Sequence, residues 1–336
     1  MPELNWNLFN IPLQLVTGVY LVVGCGIFFR KKGWFPESGD DPLYKVTVFL
    51  LMPSLILHRI LPVDLEGDYH NVIFPPLVGY ATTLLGIGLA WTLGWLPKKL
   101  TGLHSTKTLG TFAACVGILN YGFVPIPLMG ELYPNNDKMT AILFIQNLGV
   151  ELSIWSIVIV AMSGKFDRKT WLRAINPPTC AIVIAVVLNL IGFGKVVPQF
   201  LLHAVKLLGD ASLSVSMFLV GLSIADTLNI SRMIAHWRRA VRIAFWSCLL
   251  RLIVLPAILV SVAVFVPMTI EMKRVLVVYA AMSSAIFPLV LSRHYGGDPN
   301  TAAETILPNT VLALVSAPLW ISIGLPLVDG CHLFAG

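Results

Sequence analysis

Charge is scarce in this chain. Asp, Glu, Lys and Arg make up 12% of its 336 residues, about half the roughly 25% of an ordinary soluble domain. So little polar material cannot cover the surface of a soluble fold of this length. Cysteine chemistry is also missing. Cys25, Cys115, Cys180, Cys248 and Cys331 form no CxxC pair, and four of them lie in apolar runs. Neither a zinc site nor a disulfide framework is indicated, and these cysteines read as small apolar filler. There is no HExxH, nucleophile elbow or P-loop, and too few acidic residues lie in apolar runs for an aspartyl dyad. An intramembrane enzyme is therefore unsupported, and no cofactor or metal is expected. No basic stretch precedes the first apolar run, so no cleaved signal peptide is expected.

What is present is apolar sequence in long runs. The chain is 57% hydrophobic with a mean hydropathy of +0.82. A membrane-crossing helix needs about 20 mostly apolar residues. Such segments are read at 8–29, 43–61, 72–96, 108–132, 139–163, 177–194, 201–225, 240–266, 274–294 and 301–326. The expectation is an all-α polytopic membrane protein with short loops and no soluble domain, and the lipid bilayer is its first partner.

The net charge of +6 does not point to nucleic acid, because the basic residues alternate from loop to loop. Odd loops carry Arg30, Lys31, Lys32 and Lys45, then Lys98, Lys99 and Lys107, then Lys165, Arg168, Lys169 and Arg173, then Arg232, Arg238, Arg239 and Arg242, and finally Arg293. Even loops hold fewer: Arg59, Lys138, Lys195, Lys273 and Arg274. The positive-inside rule makes the odd loops cytoplasmic and puts both termini outside, as expected in a plasma (cell inner) membrane. Five helices in each half, 1–172 and 173–336, then imply a second repeat inserted upside down, an arrangement common in secondary transporters.

Two segments at matching places in the halves are interrupted. One reads Asn120-Tyr121-Gly122-Phe123-Val124-Pro125-Ile126-Pro127-Leu128, the other Ser283-Ser284-Ala285-Ile286-Phe287-Pro288-Leu289. Proline removes a backbone donor and clashes with the preceding turn. In hydrocarbon the freed groups are tolerated only where protein or a water-filled cavity satisfies them. Paired interruptions point to a transporter's binding site. Exposed N–H groups at half-helix starts favour an anion. Asn120, Tyr121, Ser283 and Ser284 are candidates to hold it or to cap the breaks, and Pro125, Pro127 and Pro288 are architectural.

Charges inside spans are expensive and are functional candidates by default. Glu151 and Arg251 lie near the middles of the fifth and eighth segments, with Gln146 and Asn147 close by in sequence. Either a mutual ion pair or a shared role around an anion is expected. Lys206 and Asp210, four apart, can pair along a helix, or Lys206 can snorkel outward. His58, beside Arg59 at the outer end of the second segment, is either a pH-sensitive group or an interfacial structural histidine.

These motifs resemble the auxin efflux carrier family. Residues 120–128 are similar to its Asn-x-Gly-Phe-x-Gly-x-Pro-Leu signature, with Pro125 where glycine is usual. Met52-Pro53 through His58 resembles the second helix, including the histidine of the plant PIN branch. Ser216 to Gly221 is similar to the seventh helix, Arg251 with Pro256 to the eighth, and Ala281 through Pro299 to the ninth and its following loop. The long central loop of the plant proteins is missing, so a compact member is indicated. The resemblance implies ten helices in two inverted repeats with broken, crossing helices 4 and 9. It implies a dimeric scaffold from helices 1, 2, 6 and 7, and a transport domain from helices 3–5 and 8–10 that moves as an elevator. It also implies small organic anions as substrates, auxins or small carboxylates. A sodium-coupled bile-acid-type symporter and a sensor that binds without flux are the alternatives.

Overall fold

The computed structural model describes residues 6–65, 68–122, 124–134, 136–164, 175–227 and 236–333. Among these residues the chain is helical and forms no strand, apart from one isolated antiparallel bridge between Leu119 and Ser284. The expected repeat boundary at 172/173, Phe123, and the basic residues Lys165, Arg168, Lys169, Arg173 and Arg232 lie outside the described residues.

Among the described residues seven helices are long and apolar enough to cross a membrane. They are α1 (Trp6–Lys31), α2 (Glu37–Ile60), α3 (Tyr69–Trp95), α6 (Asp137–Met162), α8 (Gln199–Thr227), α9 (Trp237–Phe265) and α12 (Pro299–Leu333). Between them lie shorter helices: α4 (Thr106–Gly117), α5 (Pro125–Leu132), α7 (Pro177–Leu190), α10 (Ile270–Ala280) and α11 (Phe287–His294). The expected fourth segment is thus two half-helices, α4 and α5, and the expected ninth is α10 and α11. Apolar side chains such as Leu21, Phe49, Ile73, Val187 and Val311 face outward, as the surface of a protein solvated by lipid requires.

Proline does not break every helix that contains it. Pro12, Pro75, Pro76, Pro308, Pro318 and Pro326 sit inside continuous helices. In α2 and α9 a wide π turn, Thr47–Leu51 and Leu249–Val254, runs just ahead of Pro53 and Pro256. The wider turn makes room for the ring and relieves its clash with the preceding turn, and the Leu252 carbonyl four residues before Pro256 accepts from Trp320 Nε1 at 2.7 Å.

Small residues let helix backbones touch. A Cβ on Gly149 of α6 would overlap the Pro76 carbonyl of α3, and one on Gly79 would overlap the Gln146 carbonyl. Gly26 of α1 and Gly221 of α8 meet the same way, against the Phe218 and Val23 carbonyls. Without a hydrophobic drive between helices in lipid, such close packing supplies much of the association. α1, α2, α7 and α8 pack as one group, and α3–α6 with α9–α12 as another. The groups meet where α1 lies on α12 and α5, and where α2 and α7 lie on α6.

Polar residues gather at the two ends of the bundle. At one end Lys138 bridges Asp68 at 2.6 Å, with Glu271 at 4.0 Å, and Thr269 donates to Asn71 at 2.6 Å. At the other, Arg239 of α9 binds Glu304 at 2.6 Å, Thr301 at 2.6 Å, Asp298 at 3.3 Å and the Gly102 carbonyl at 3.3 Å. The Asp298 backbone N–H donates to Thr111 of α4 at 2.9 Å.

Two expectations follow. Gly149→Ala should destabilise the purified protein in detergent by about 1–3 kcal/mol through overpacking. Gly88→Ala, with no atom within 4 Å of the new Cβ, should be neutral or stabilising by up to about 1 kcal/mol. Thermal unfolding distinguishes them, and a wild-type Tm for Gly149→Ala would contradict the close approach. Burial tends to raise the Asp298 carboxyl, but hydrogen bonds from Thr301 and Asn300, with Arg239 nearby, outweigh it and hold the pKa below the usual range. Its stabilisation is full above the ordinary carboxylate pKa of about 3.9 and is lost as pH falls through the depressed folded value. The Tm gap between wild type and Asp298→Asn should therefore narrow on acidification, and a gap independent of pH would contradict this.

Candidate functional site

The two interruptions meet. The Asn120 N–H donates to the Ser283 carbonyl at 2.8 Å, and the Ala285 N–H donates to the Ile118 carbonyl at 2.9 Å. Each break thus satisfies backbone groups that the other has freed. α4 and α10 end at this crossing, and α5 and α11 begin there.

The prolines play a more specific part than breaking a helix in mid-run. Pro125 opens α5, Pro127 lies in its first turn, and Pro288 is the second residue of α11. At the first turn a missing N–H costs no helical bond, and the fixed φ suits the helix. The starts of α5 and α11 differ from those of α3, α4, α7 and α10, and share with α6 and α9 the lack of a side-chain cap bond. Asp68, Ser105, Asn176 and Thr269 cap α3, α4, α7 and α10 with their side chains. The cap positions of α5 and α11 are Val124 and Ile286, and neither makes a side-chain cap bond. Two positive helix ends therefore arrive at the crossing without a side-chain acceptor.

Three other helices brace the breaks. Asn147 of α6 donates to the Tyr121 carbonyl at 3.0 Å. Asn309 of α12 donates to Ser284 Oγ at 3.0 Å. Arg251 of α9, fully buried, donates from Nε to the Met282 carbonyl at 3.0 Å, and Nη2 shares that acceptor. A guanidinium there compensates the negative C-terminal end of α10. Tyr20 of α1 brings its hydroxyl beside Ser283. Several buried polar atoms have no hydrogen-bond partner among the described residues: both amide atoms of Gln146, Asn147 Oδ1, Asn309 Oδ1 and Arg251 Nη1.

Glu151 and Arg251 do not pair. The Glu151 carboxylate accepts from Tyr121 Oη at 2.8 Å, Trp155 Nε1 at 3.0 Å and Asn176 Nδ2 at 3.4 Å, while Arg251 holds Met282. Of the two expected arrangements the mutual ion pair is absent: Glu151 is held by three side-chain donors, and Arg251 by a carbonyl of the broken backbone. Trp155 also meets Phe287, the first residue of α11, edge-on at 6.2 Å. Glu151 therefore ties Tyr121 after the first break to the cap residue of α7.

The remaining candidates lie elsewhere. Lys206 and Asp210 are both exposed, and no ion pair joins them among the described residues. His58 Nδ1 has no hydrogen-bond partner among the described residues. These three are separate from the crossing. Arg59 instead bridges to Asp137 of α6 at 3.1 Å. Among the described residues no group of three or more His, Cys, Asp or Glu could hold a metal, and Cys25, Cys115, Cys180 and Cys248 are free. Sequence reasoning missed Asn309, Asn176, Trp155 and Tyr20. Asn309 had a signal: a carboxamide inside an apolar run, directly after a proline.

A bundle of membrane-length helices, with two broken helices meeting in a polar interior, is the architecture of a membrane transport protein. The profile of the family described as membrane transport protein matches residues 13–170 and 165–321, and the chain belongs to this family, that of the auxin efflux carriers. It is 26% identical to an uncharacterized transporter of Methanothermobacter thermautotrophicus over 308 residues, 91% of this chain and 96% of that one. A second uncharacterized transporter, from Methanocaldococcus jannaschii, is 26% identical over 323 residues, 92% of this chain and 98% of that one. Auxin efflux carrier component 8 of Arabidopsis thaliana is 24% identical over 153 residues, 45% of this chain and 40% of that one.

If Tyr121 and Glu151 act together, their substitutions will not add. Tyr121→Phe and Glu151→Gln should each destabilise by about 1–3 kcal/mol, as expected for a hydrogen bond to a charged group. A double-mutant cycle from unfolding in detergent should give a coupling of about 1 kcal/mol or more. Strict additivity would remove the bond from the account.

Proposed function

We propose that this protein is a secondary transporter that moves a small organic anion, such as an auxin-like or other carboxylate, by elevator-type alternating access. One observation carries the reading: two reciprocally paired breaks deliver two helix N-termini without side-chain caps to one buried polar spot. An anion leaving water needs a positive potential and fixed donors there. The dipole ends of α5 and α11 favour it without a full opposing charge. Side chains must supply most of the donors, because Pro125 and Pro127 have no N–H and the Ile126 N–H already bonds the Gly122 carbonyl. In this reading Asn120 holds a carboxylate oxygen, and Tyr121, Ser283, Ser284, Gln146 and Asn147 complete the site. Arg251 offsets the C-terminal end of α10, leaving the positive ends to dominate.

The finer architecture belongs to the same proposal. Gly102, Arg239 and Asp298, from the expected loops 3–4, 7–8 and 9–10, meet at one end, and Asp68, Lys138 and Glu271, from loops 2–3, 4–5 and 8–9, meet at the other. That alternation suits ten crossings in two inverted repeats, with the basic end cytoplasmic and both termini outside. α1, α2, α7 and α8 would form the scaffold and the dimer contact, and the group bearing the crossing would move. The Arg59–Asp137 pair and the Glu151–Asn176 contact would then join the two bodies.

The test is flux into proteoliposomes of labelled mono- and dicarboxylates, with sodium, pH and voltage varied separately. Saturable uptake is expected, and Asn120→Ala should lower it about tenfold or more at equal protein, the equivalent of one hydrogen bond to a charged group. Absence of organic-anion flux under every gradient would overturn the reading. Strict sodium dependence would move it to a bile-acid-type symporter, and saturable binding without flux to a sensor.

A further inference from the structure

One exposed surface of this molecule is both basic and aromatic. It lies where α3 ends and α9 begins. Trp246 Nε1 of α9 donates to the Leu100 carbonyl at 3.1 Å, and Arg239 Nε donates to the Gly102 carbonyl, so the two segments lie side by side. Trp95 is 85% exposed, and Leu100, Trp237, Val241 and Phe245 are each more than half exposed. Among them stand Lys98, Lys99, Arg238 and Arg242, all exposed. Positions 237, 238, 241, 242 and 245 recur at helical spacing, which puts them on one side of α9. Arg238 lies over the Trp237 ring at 5.7 Å.

The four cations form no ion pair among the described residues. The nearby acids are already engaged: Arg239 turns inward and occupies both Glu304 and Asp298. The surface thus presents positive charge with no compensation of its own. Trp95 and Trp237 terminate membrane-length helices, which places them at the edge of the hydrocarbon, where indole rings collect.

We propose that this surface binds the headgroup of an anionic phospholipid. The aromatic and aliphatic side chains would lie along the upper acyl chains, and the lysines and arginines would reach outward to the headgroup phosphate. A soluble acidic partner would satisfy the charges but could not cover apolar side chains set into the bilayer edge, so lipid is the better fit on both counts.

Native mass spectrometry of the full chain in detergent tests this, with phosphatidylglycerol and phosphatidylcholine of identical acyl chains as probes. The wild type should retain phosphatidylglycerol in preference to phosphatidylcholine. Arg238→Gln with Arg242→Gln should weaken phosphatidylglycerol retention about tenfold or more and leave phosphatidylcholine unchanged. Lys98→Gln with Lys99→Gln should act in the same direction, whereas Arg238→Lys with Arg242→Lys should keep most of the preference. Because all four side chains are exposed, the Tm of each variant should match wild type. Equal retention of the two lipids by the wild type, or an undiminished preference in both glutamine variants, would overturn the proposal. So would retention of a soluble polyglutamate peptide in place of the lipid.

Discussion

The structure turns on a pair of backbone hydrogen bonds. Asn120 to Ser283 and Ala285 to Ile118 join two stretches that have each left the helical ladder. An unsatisfied peptide group in hydrocarbon costs several kcal/mol, so neither break could persist alone at this depth. Together they are tolerated, because each supplies donors and acceptors to the other. The side chains around them extend the same logic. Asn147, Asn309 and Arg251 come from three different helices, and each takes a polar group of the broken region as its partner. The bundle is thereby built around its own interruption.

This arrangement also settles the electrostatics of the interior. Four helix ends converge, two positive and two negative. A buried guanidinium without a carboxylate partner would be prohibitively expensive in an apolar surrounding. The Met282 carbonyl beyond the end of α10 offsets part of that cost for Arg251, whose Nη1 has no partner among the described residues. Glu151 is stabilised separately by three donors, one of them the cap residue of α7. The two charges, for which the sequence allowed either a pair or a shared role around an anion, are two separate supports, one beside each broken segment.

Proline shows how far composition can be read. Pro125 and Pro288 stand at the breaks, and their apolar segments marked them correctly. Yet Pro75, Pro76, Pro308 and Pro318 occupy continuous helices, and Pro53 and Pro256 are accommodated by π turns. A proline lowers the cost of leaving the helix but does not require it. The outcome depends on whether another segment offers partners for the freed groups, and that is a property of the neighbours. The same reason hid Asn309 and Tyr20, whose roles exist only because α12 and α1 come to lie against the second break.

The sequence by itself determined that the chain is helical, apolar and membrane-embedded, since hydropathy runs and loop charge are local quantities and survive any arrangement of the helices. It also determined where the ladder would be interrupted and which polar side chains lay nearby. Only the tertiary structure decided that the interruptions meet, that Glu151 faces Tyr121, and that Arg251 faces a carbonyl. Those choices join residues thirty or more positions apart, and in the case of the two interruptions more than a hundred. They follow from close helix contacts at Gly79 and Gly149, and from the demand that every buried backbone group find a partner, a demand no single segment can meet alone.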